Sequence, residues 1–393
     1  MKIMLIFFAE EIQKEFSASA KCFNQFSNIH FVFAPIIRIN EKEKYGKIIE
    51  NLKKEIKSNI TIKPIYLRCP NAKFSTLAKP HFLIDALSSF FKAVYTVRPR
   101  IVVCFYLSHA YPLIPLKMVS KFSLSVVAMG SDVNSEKSIV QRMLRKIILI
   151  NSDLVFARSW ALKDTIEKEQ NCRVIVNPSS TDISFFKPLN SRLILRKKWL
   201  IDENEFVILT ACRLDANKGV DILIKALSSL QASGHSNFRL LVAGDGEERR
   251  ALEILANELG LQKYVKFLGY RSKTDLLELY NLSDVFVLAS YSEGLPRAVI
   301  ESMACGCIPI ATDVGSTAVI VKDGFNGFLV HAGNPIDLSA RIKQIQSSSK
   351  EEISLMQKRA CYEIRNNFDI NIITKRMLDK VCLLEKQNLL INA

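Results

Sequence analysis

Between Asp284 and Asp313 the chain reads DVFVLASYSEGLPRAVIESMACGCIPIATD, a complete strand, loop, helix and strand. No other stretch constrains the fold as much. Asp284 to Ala289 is a short apolar run of strand length, Pro296 suits the first turn of a helix because it has no N–H to leave unpaired, and Gly306 suits the C-cap. Pro309 to Ala311 then opens the next buried strand. Glu293 falls in the loop above the C-terminal end of the first strand, and Glu301 falls about a turn and a half inside the helix, so both can face one crevice. A carboxylate beside a helix start is ordinarily a mild dipole or capping effect.

The same alternation runs through the rest of the chain. A length of 393 residues exceeds one ordinary core and implies two domains. In the first half, strand-like runs fall at Ile3 to Phe8, Ile29 to Ala34, Ile60 to Tyr66, Ile101 to Tyr106, Leu124 to Ala128, Leu154 to Ala157 and Arg173 to Val176. Crossover helices fit Lys42 to Lys57, Phe82 to Val97 and Lys137 to Ile150, which is the pattern of a parallel, doubly wound sheet. From Asn177 the loop-like NPSSTDISFFKPLN suits a linker, and a second series begins at Phe206 to Thr210.

Composition narrows the class. With 49% hydrophobic and 24% charged residues the chain is globular rather than disordered. Its nine cysteines, Cys22 and Cys69 among them, include no pair of CxxC units, so reduced thiols in a cytoplasmic protein are expected rather than a zinc site or a disulfide framework. The start, MKIMLIFFAEE, is cut short by Glu10 and Glu11 and reads as a first strand, not a signal peptide. Ile101 to Leu116 carries no formal charge but is too short to span a membrane.

The net charge of +15 is placed unevenly. Residues 1–187 hold 28 Lys and Arg against 15 Asp and Glu, or +13, while residues 188–393 hold 26 against 24, or +2. No nucleic-acid motif accompanies this charge, so nucleic acid is not expected as a partner. Two readings stand: an anionic membrane surface, attracted by lysines such as Lys42, Lys44, Lys47, Lys53, Lys54 and Lys57, or a well-solvated lysine-rich surface. The apolar face near Phe82, Phe90 and Phe91 adds to membrane contact if exposed and to the core if buried.

The second half carries the anion-binding chemistry. The strand FVILTAC runs into Arg213-Leu-Asp-Ala-Asn-Lys218-Gly219 ahead of a helix, placing a guanidinium, an ammonium and backbone N–H groups where a diphosphate can be held. Gly244-Asp-Gly246 after the next strand is weak evidence by itself, because tight strand-to-helix turns use glycine anyway.

Taken in order, Arg213 to Lys218-Gly, Ala243-Gly-Asp-Gly, Val265-Lys-Phe-Leu-Gly-Tyr, Ser283-Asp-Val-Phe-Val, the two-glutamate motif with Glu293-Gly-Leu-Pro, and Gly324-Phe-Asn-Gly-Phe-Leu-Val resemble the large retaining glycosyltransferase family commonly called family 4, group 1. That resemblance implies the GT-B fold, an α/β architecture of two Rossmann-like doubly wound domains facing across a cleft. It implies an acceptor-binding domain over 1–187, a nucleotide-sugar donor domain over 188–365, and C-terminal helices, 366–393, packing back on the first domain. It also assigns roles: Arg213 and Lys218 to the donor diphosphate, Glu301 to the ribose hydroxyls and Glu293 to the transferred sugar. The backbone N–H groups of Gly294 and Leu295 add donors beside Glu293. Tyr270 and Arg271 are either contacts to the nucleobase edge or ordinary packing and surface residues. No cofactor and no metal are implied, since fixed cations can stand in for a divalent ion.

The first half departs from the family pattern. Met129 in Ala128-Met-Gly-Ser-Asp132 stands where many relatives carry a histidine, so that imidazole's role does not carry over. His109 and Asp132 are the acceptor-side candidates, His109 being either functional or structural. Pro178-Ser-Ser-Thr-Asp182 and Gly315-Ser-Thr-Ala-Val also differ from the usual wording. The expected activity is transfer of a sugar from a nucleotide diphosphate sugar to a glycan or lipid-linked acceptor with retention, in cell-surface polysaccharide or glycolipid (lipopolysaccharide-type) biosynthesis, by a cytoplasmic protein peripheral to the membrane. The alternatives are a nucleotide-sugar epimerase of related fold and a non-catalytic sugar-nucleotide-binding protein.

Overall fold

The computed structural model describes residues 1–8, 23, 28–38, 41–55, 59–67, 80–134 and 139–391. Glu10, Glu11, Cys22, Lys57, Cys69 and Lys137, and the side chains of Lys54 and Phe82, lie outside the described residues. The chain forms two compact units, Met1–Pro178 with Ile370–Ala393, and Ser179–Asp369.

In the first unit the strands are β1 (Lys2–Phe8), β2 (His30–Arg38), β3 (Ile60–Ile62), β4 (Ile65–Leu67), β5 (Ile101–Phe105), β6 (Ser123–Ala128), β7 (Leu154–Ala157) and β8 (Val174–Val176). They pair in parallel in the order β3-β2-β1-β5-β6-β7-β8, with β4 also on β2. The run Ile60 to Tyr66 is therefore two short strands, not one. Pro64 lies between them, has no N–H to give a ladder, and lets the chain step from Phe31–Phe33 to Ile36–Arg38 of β2. Helices α1 (Lys42–Glu55), α2 (Pro80–Val97), α3 (Leu113–Ser120), α4 (Ile139–Asn151) and α5 (Trp160–Glu169) cover the sheet. The strand side chains alternate between its two faces: Met4 and Ile6 join a core with α2 to α5, while Ile3, Leu5 and Phe7 join one with α1 and the helix Ile370–Ile391. Phe90 is buried in the former and Phe91 is half-exposed.

The second unit holds β9 (Phe206–Ala211), β10 (Phe238–Ala243), β11 (Val265–Gly269), β12 (Val285–Leu288), β13 (Ile308–Thr312) and β14 (Phe328–Val330). Their order is β11-β10-β9-β12-β13-β14, all parallel. Counted within the unit this is 3-2-1-4-5-6, the strand order of a dinucleotide-binding sheet. Asp284, at the foot of β12, accepts from the Val207 N–H of β9 at 2.7 Å and from Arg196 at 2.8 Å, and also pairs with Arg192. It fixes the two central strands side by side. The connecting helices include α6 (Arg192–Lys198), α7 (Val220–Ala232), α8 (Arg249–Glu258), α9 (Lys273–Leu282), α10 (Arg297–Ala304), α11 (Pro335–Gln346) and α12 (Lys350–Asn367).

Two boundaries differ from the sequence reading. The chain enters the second unit after Pro178 rather than near 187, because Phe186 is buried against Tyr280, ring centroids 5.9 Å apart, and the Leu189 N–H donates to Asn281 Oδ1 at 2.7 Å. It leaves after Asp369 rather than 365, since the Thr181 N–H reaches Phe368 O at 3.0 Å. Pro296 is likewise not in the first turn of α10 but precedes it as the N-cap, with extended ψ of 112°. Gly306, at φ 80°, follows the capping Cys305, as a left-handed helix end requires.

Candidate functional site

In the second sheet the connections diverge between β9 and β12, and the crevice above such a switch point is where open α/β sheets hold ligands. The loop after β9 carries Arg213 and Asp215, makes one turn of 3-10 helix at Ala216–Lys218, and enters α7 through Gly219. Gly219 has φ 59°, and a Cβ there would lie 2.2 Å from Ala289 O at the top of β12. Only glycine allows that approach. Asn217 ties the two loops further: its carbonyl accepts from the Tyr291 N–H at 2.8 Å, and its Nδ2 donates to Ser292 O at 2.9 Å.

That closeness brings Lys218 to Glu293. The ammonium donates to Glu293 Oε1 at 2.8 Å, and Ser290 Oγ donates to the same oxygen, also at 2.8 Å. Behind them, the buried Thr312 hydroxyl at the end of β13 donates to Ser290 O at 2.6 Å. Gly315, at φ 61°, would place a Cβ 1.8 Å from Glu293 O, so the following loop packs directly on the Glu293 backbone. Arg213 reaches outward from the same crevice and is held by Asp215 Oδ2 at 2.7 Å, its own side chain 79% exposed. Asp215 Oδ1 is buried with no hydrogen-bond partner among the described residues. Neither α7 nor α10 has a side-chain cap at its N-terminus, so their first N–H groups and positive dipole ends add to the cationic character. The arrangement suits an anion bearing hydroxyl groups.

Residues 191–360 match the family described as glycosyl transferases group 1. This segment is a group 1 glycosyl transferase domain. Over 151 residues the chain is 37% identical to a putative glycosyltransferase, EpsD, of Bacillus subtilis, covering 38% of this chain and 39% of that protein. Over 219 residues it is 29% identical to the D-inositol 3-phosphate glycosyltransferase of Corynebacterium jeikeium, covering 53% and 52%. The chain thus spans about half or less of the length of these curated relatives. The fold is similar to that of Anabaena HepE in complex with UDP, with a TM-score of 0.78, 18% identity and coverage of 97% and 100%. Sucrose-phosphate synthase of Thermosynechococcus elongatus gives a TM-score of 0.78 at 19% identity, covering 98% and 99%.

Within the glycosyl transferases group 1 domain, Glu301 lies in the second turn of α10 and is largely buried. It accepts from the Tyr280 hydroxyl at 3.3 Å. Burial raises its pKa, opposed by Arg297, Lys273 and the Tyr280 hydrogen bond. Leu295 is buried and the Gly294 carbonyl accepts from the Ser316 N–H at 2.9 Å, which fixes the loop between the two glutamates. Tyr270 is 83% exposed after β11. Arg271 folds back, donating Nε to Leu268 O at 3.0 Å with its guanidinium 5.7 Å from the Trp199 ring centroid. The glycines of Gly244-Asp-Gly246 pack on the backbone of Cys212 and Leu214.

His109 and Asp132 lie outside the matched domain, at the C-terminal edge of the first sheet. His109 is buried in a 3-10 turn after β5, with Nδ1 3.2 Å from Phe105 O and its ring edge-on to Tyr106. Desolvation lowers its pKa to about 4, so the imidazole is neutral at pH 7. Asp132 accepts from the Leu107 N–H at 2.7 Å and the Met129 N–H at 3.0 Å, clamping the turns after β5 and β6 together. Asp215, Ser290, Thr312 and Tyr280 were not singled out from the sequence. Asp215 and Ser290 act on near neighbours in the chain, Arg213 and Glu293, whereas Thr312 and Tyr280 reach distant partners, Ser290 and Glu301, that only the fold supplies.

Proposed function

We propose that this protein is a retaining glycosyltransferase that moves a sugar from a nucleotide diphosphate sugar to a glycan or lipid-linked acceptor in cell-surface polysaccharide or glycolipid biosynthesis. The observation that carries the reading is the Lys218–Glu293 pair at the switch point, 2.8 Å apart, with Arg213 exposed on the same loop as Lys218. A similar structure described in complex with UDP supports a nucleotide donor.

In this reading the diphosphate lies over Arg213, Lys218 and the N-terminal N–H groups of α7. Negative charge gathers there as the anomeric C–O bond breaks, so preplaced cations stabilise the transition state more than the ground state. These fixed charges take the part a divalent metal would otherwise play. Glu293, oriented by Ser290, accepts from hydroxyls of the transferred sugar, and the Gly294 and Leu295 N–H groups lie beside it. Glu301 takes the ribose hydroxyls, and Tyr270 and Arg271 flank the nucleobase. Retention follows from front-face attack: the acceptor oxygen bonds to the anomeric carbon on the side the diphosphate leaves, and the acceptor proton passes to a donor phosphate oxygen. His109 and Asp132 belong to the acceptor side, where both shape the loops. The protein works in the cytoplasm, with the basic residues 1–187 facing an anionic membrane that carries the acceptor. Among the described residues no helix is long and apolar enough to cross a membrane.

Incubation with labelled nucleotide sugars and candidate acceptors tests this. Release of nucleoside diphosphate only when acceptor is present, with a product of unchanged anomeric configuration by NMR, supports transfer. Interconverted nucleotide sugars without acceptor would support an epimerase instead.

A further inference from the structure

Helix α4 is amphipathic in the wrong sense for a solvent-facing crossover helix. Ile139, Val140, Met143, Ile147 and Ile150 are each between 46% and 69% exposed. At 100° per residue these five fall within one 100° arc, so the whole outward stripe is apolar. Its inward face is Arg145, Ile148 and Leu149. Arg145 donates to Val133 O at 3.1 Å and forms an ion pair with Glu169 at the end of α5, so rolling the helix to hide the stripe would strip a buried arginine of its half-exposed carboxylate partner.

Lys117 near the end of α3 donates to Asn151 O at 2.8 Å and pairs with Asp153 at 2.7 Å, which ties the end of α3, where Met118 and Val119 are also exposed, to the C-terminal end of α4. An exposed apolar stripe of this kind marks a docking face. The charges decide the occupant. Helix α4 contains no carboxylate, Arg142 and Lys146 are exposed along one edge of the stripe, and both line a cavity of about 460 Å³ whose one carboxylate, Glu169, is already paired with Arg145. A second copy of this chain would bring the same cations against themselves. Lipid phosphates complement them, and an apolar stripe edged by Lys and Arg is how a helix lies in a membrane interface.

We propose that α4 is the membrane-docking helix of this protein: Met143, Ile147 and their neighbours enter the acyl boundary of an anionic bilayer while Arg142 and Lys146 hold lipid phosphates. The inference rests on the membrane reading above and names the element that makes the contact. It also explains why the exposed stripe lies on the basic unit rather than the nearly neutral one.

Flotation of the full chain with phosphatidylethanolamine vesicles, with and without phosphatidylglycerol, tests it. Binding is expected to anionic vesicles, with a part that persists when salt exceeds physiological strength and screening shortens the electrostatic reach to less than about 8 Å. Met143→Glu with Ile147→Glu should weaken binding about ten-fold or more and remove the salt-resistant part. Arg142→Gln with Lys146→Gln should weaken only the salt-sensitive part. Unchanged melting temperatures show that the variants fold, and Met143→Ser with Ile147→Ser serves if the glutamates do not. Equal binding by wild type and the apolar variants would overturn the role of α4 and leave the membrane reading standing. Failure of wild type to bind at low salt would remove the membrane reading and this inference together, without touching the transferase assay. A wild-type dimer that the glutamates make monomeric, seen by light scattering, would assign the face to a second copy instead.

Discussion

Lys218 Nζ lies 2.8 Å from Glu293 Oε1, although the two residues are on loops that follow different strands, β9 and β12. The pair bridges the switch point of the second sheet. Each side chain is mostly shielded, 22% and 13% exposed, so their attraction is screened less than that of a surface pair. If Lys218 holds the donor diphosphate as proposed, that anion has to compete with this carboxylate, which Ser290 also holds, donating to the same oxygen.

Replacing Arg213 by Ala should lower turnover by about two orders of magnitude with no change in melting temperature, because a side chain 79% exposed contributes little to stability. Lys218→Ala should cost as much activity and also about 1–2 kcal/mol of stability, since it leaves a shielded carboxylate without its cation. Steady-state rates and thermal melts check both. Near-normal turnover in the two variants would sink the diphosphate assignment.

The glutamates should separate by readout. Glu301→Gln is expected to weaken nucleoside diphosphate binding, measured by calorimetry without a sugar, whereas Glu293→Gln should leave that affinity nearly unchanged and reduce turnover. An affinity loss confined to Glu293→Gln would reverse the roles.

Glu301 should also make nucleotide affinity depend on pH. In the proposed role the ionised carboxylate accepts from ribose hydroxyls, and burial raises the pKa of this group, so affinity should fall as pH drops from neutral toward the ordinary carboxylate range, and Glu301→Gln should flatten the profile. The stability effect has the opposite sense. A carboxyl with a raised folded-state pKa contributes stability below its unfolded pKa and loses it as pH rises through the folded one. Glu301→Gln should therefore melt no lower than wild type at pH 7. A lower melting temperature there would show that the ionised carboxylate is a net stabilising group.

Gly315→Ala tests the support behind Glu293. The added Cβ meets Glu293 O at 1.8 Å from a left-handed backbone, so a loss of about 2–4 kcal/mol is expected, with turnover falling further than nucleotide affinity. A variant as stable and active as wild type would mean the loop is free to move aside.

The alternation of apolar runs with helical spacing, the glycines at turns and the order of the motifs are local properties, and they suffice for two doubly wound parallel sheets; the resemblance carried by those motifs is what singles out Arg213, Lys218, Glu293 and Glu301 as candidates. Side-chain period and turn chemistry depend on neighbours within a few residues, which is why the strands fall close to where the sequence puts them. Pro64 shows the grain of that reading, since one apolar run became two strands once a neighbour existed to pair with. What joins Lys218 to Glu293 is strand order, which Asp284 secures by binding Val207 and Arg196 at the foot of the sheet. Tertiary structure likewise decided that Thr312 steadies Ser290 and that His109 is buried and neutral. For α4 the pattern alone is ambiguous, because it has apolar residues on both faces. The Arg145–Glu169 pair determines which of them turns to the core and which remains outside.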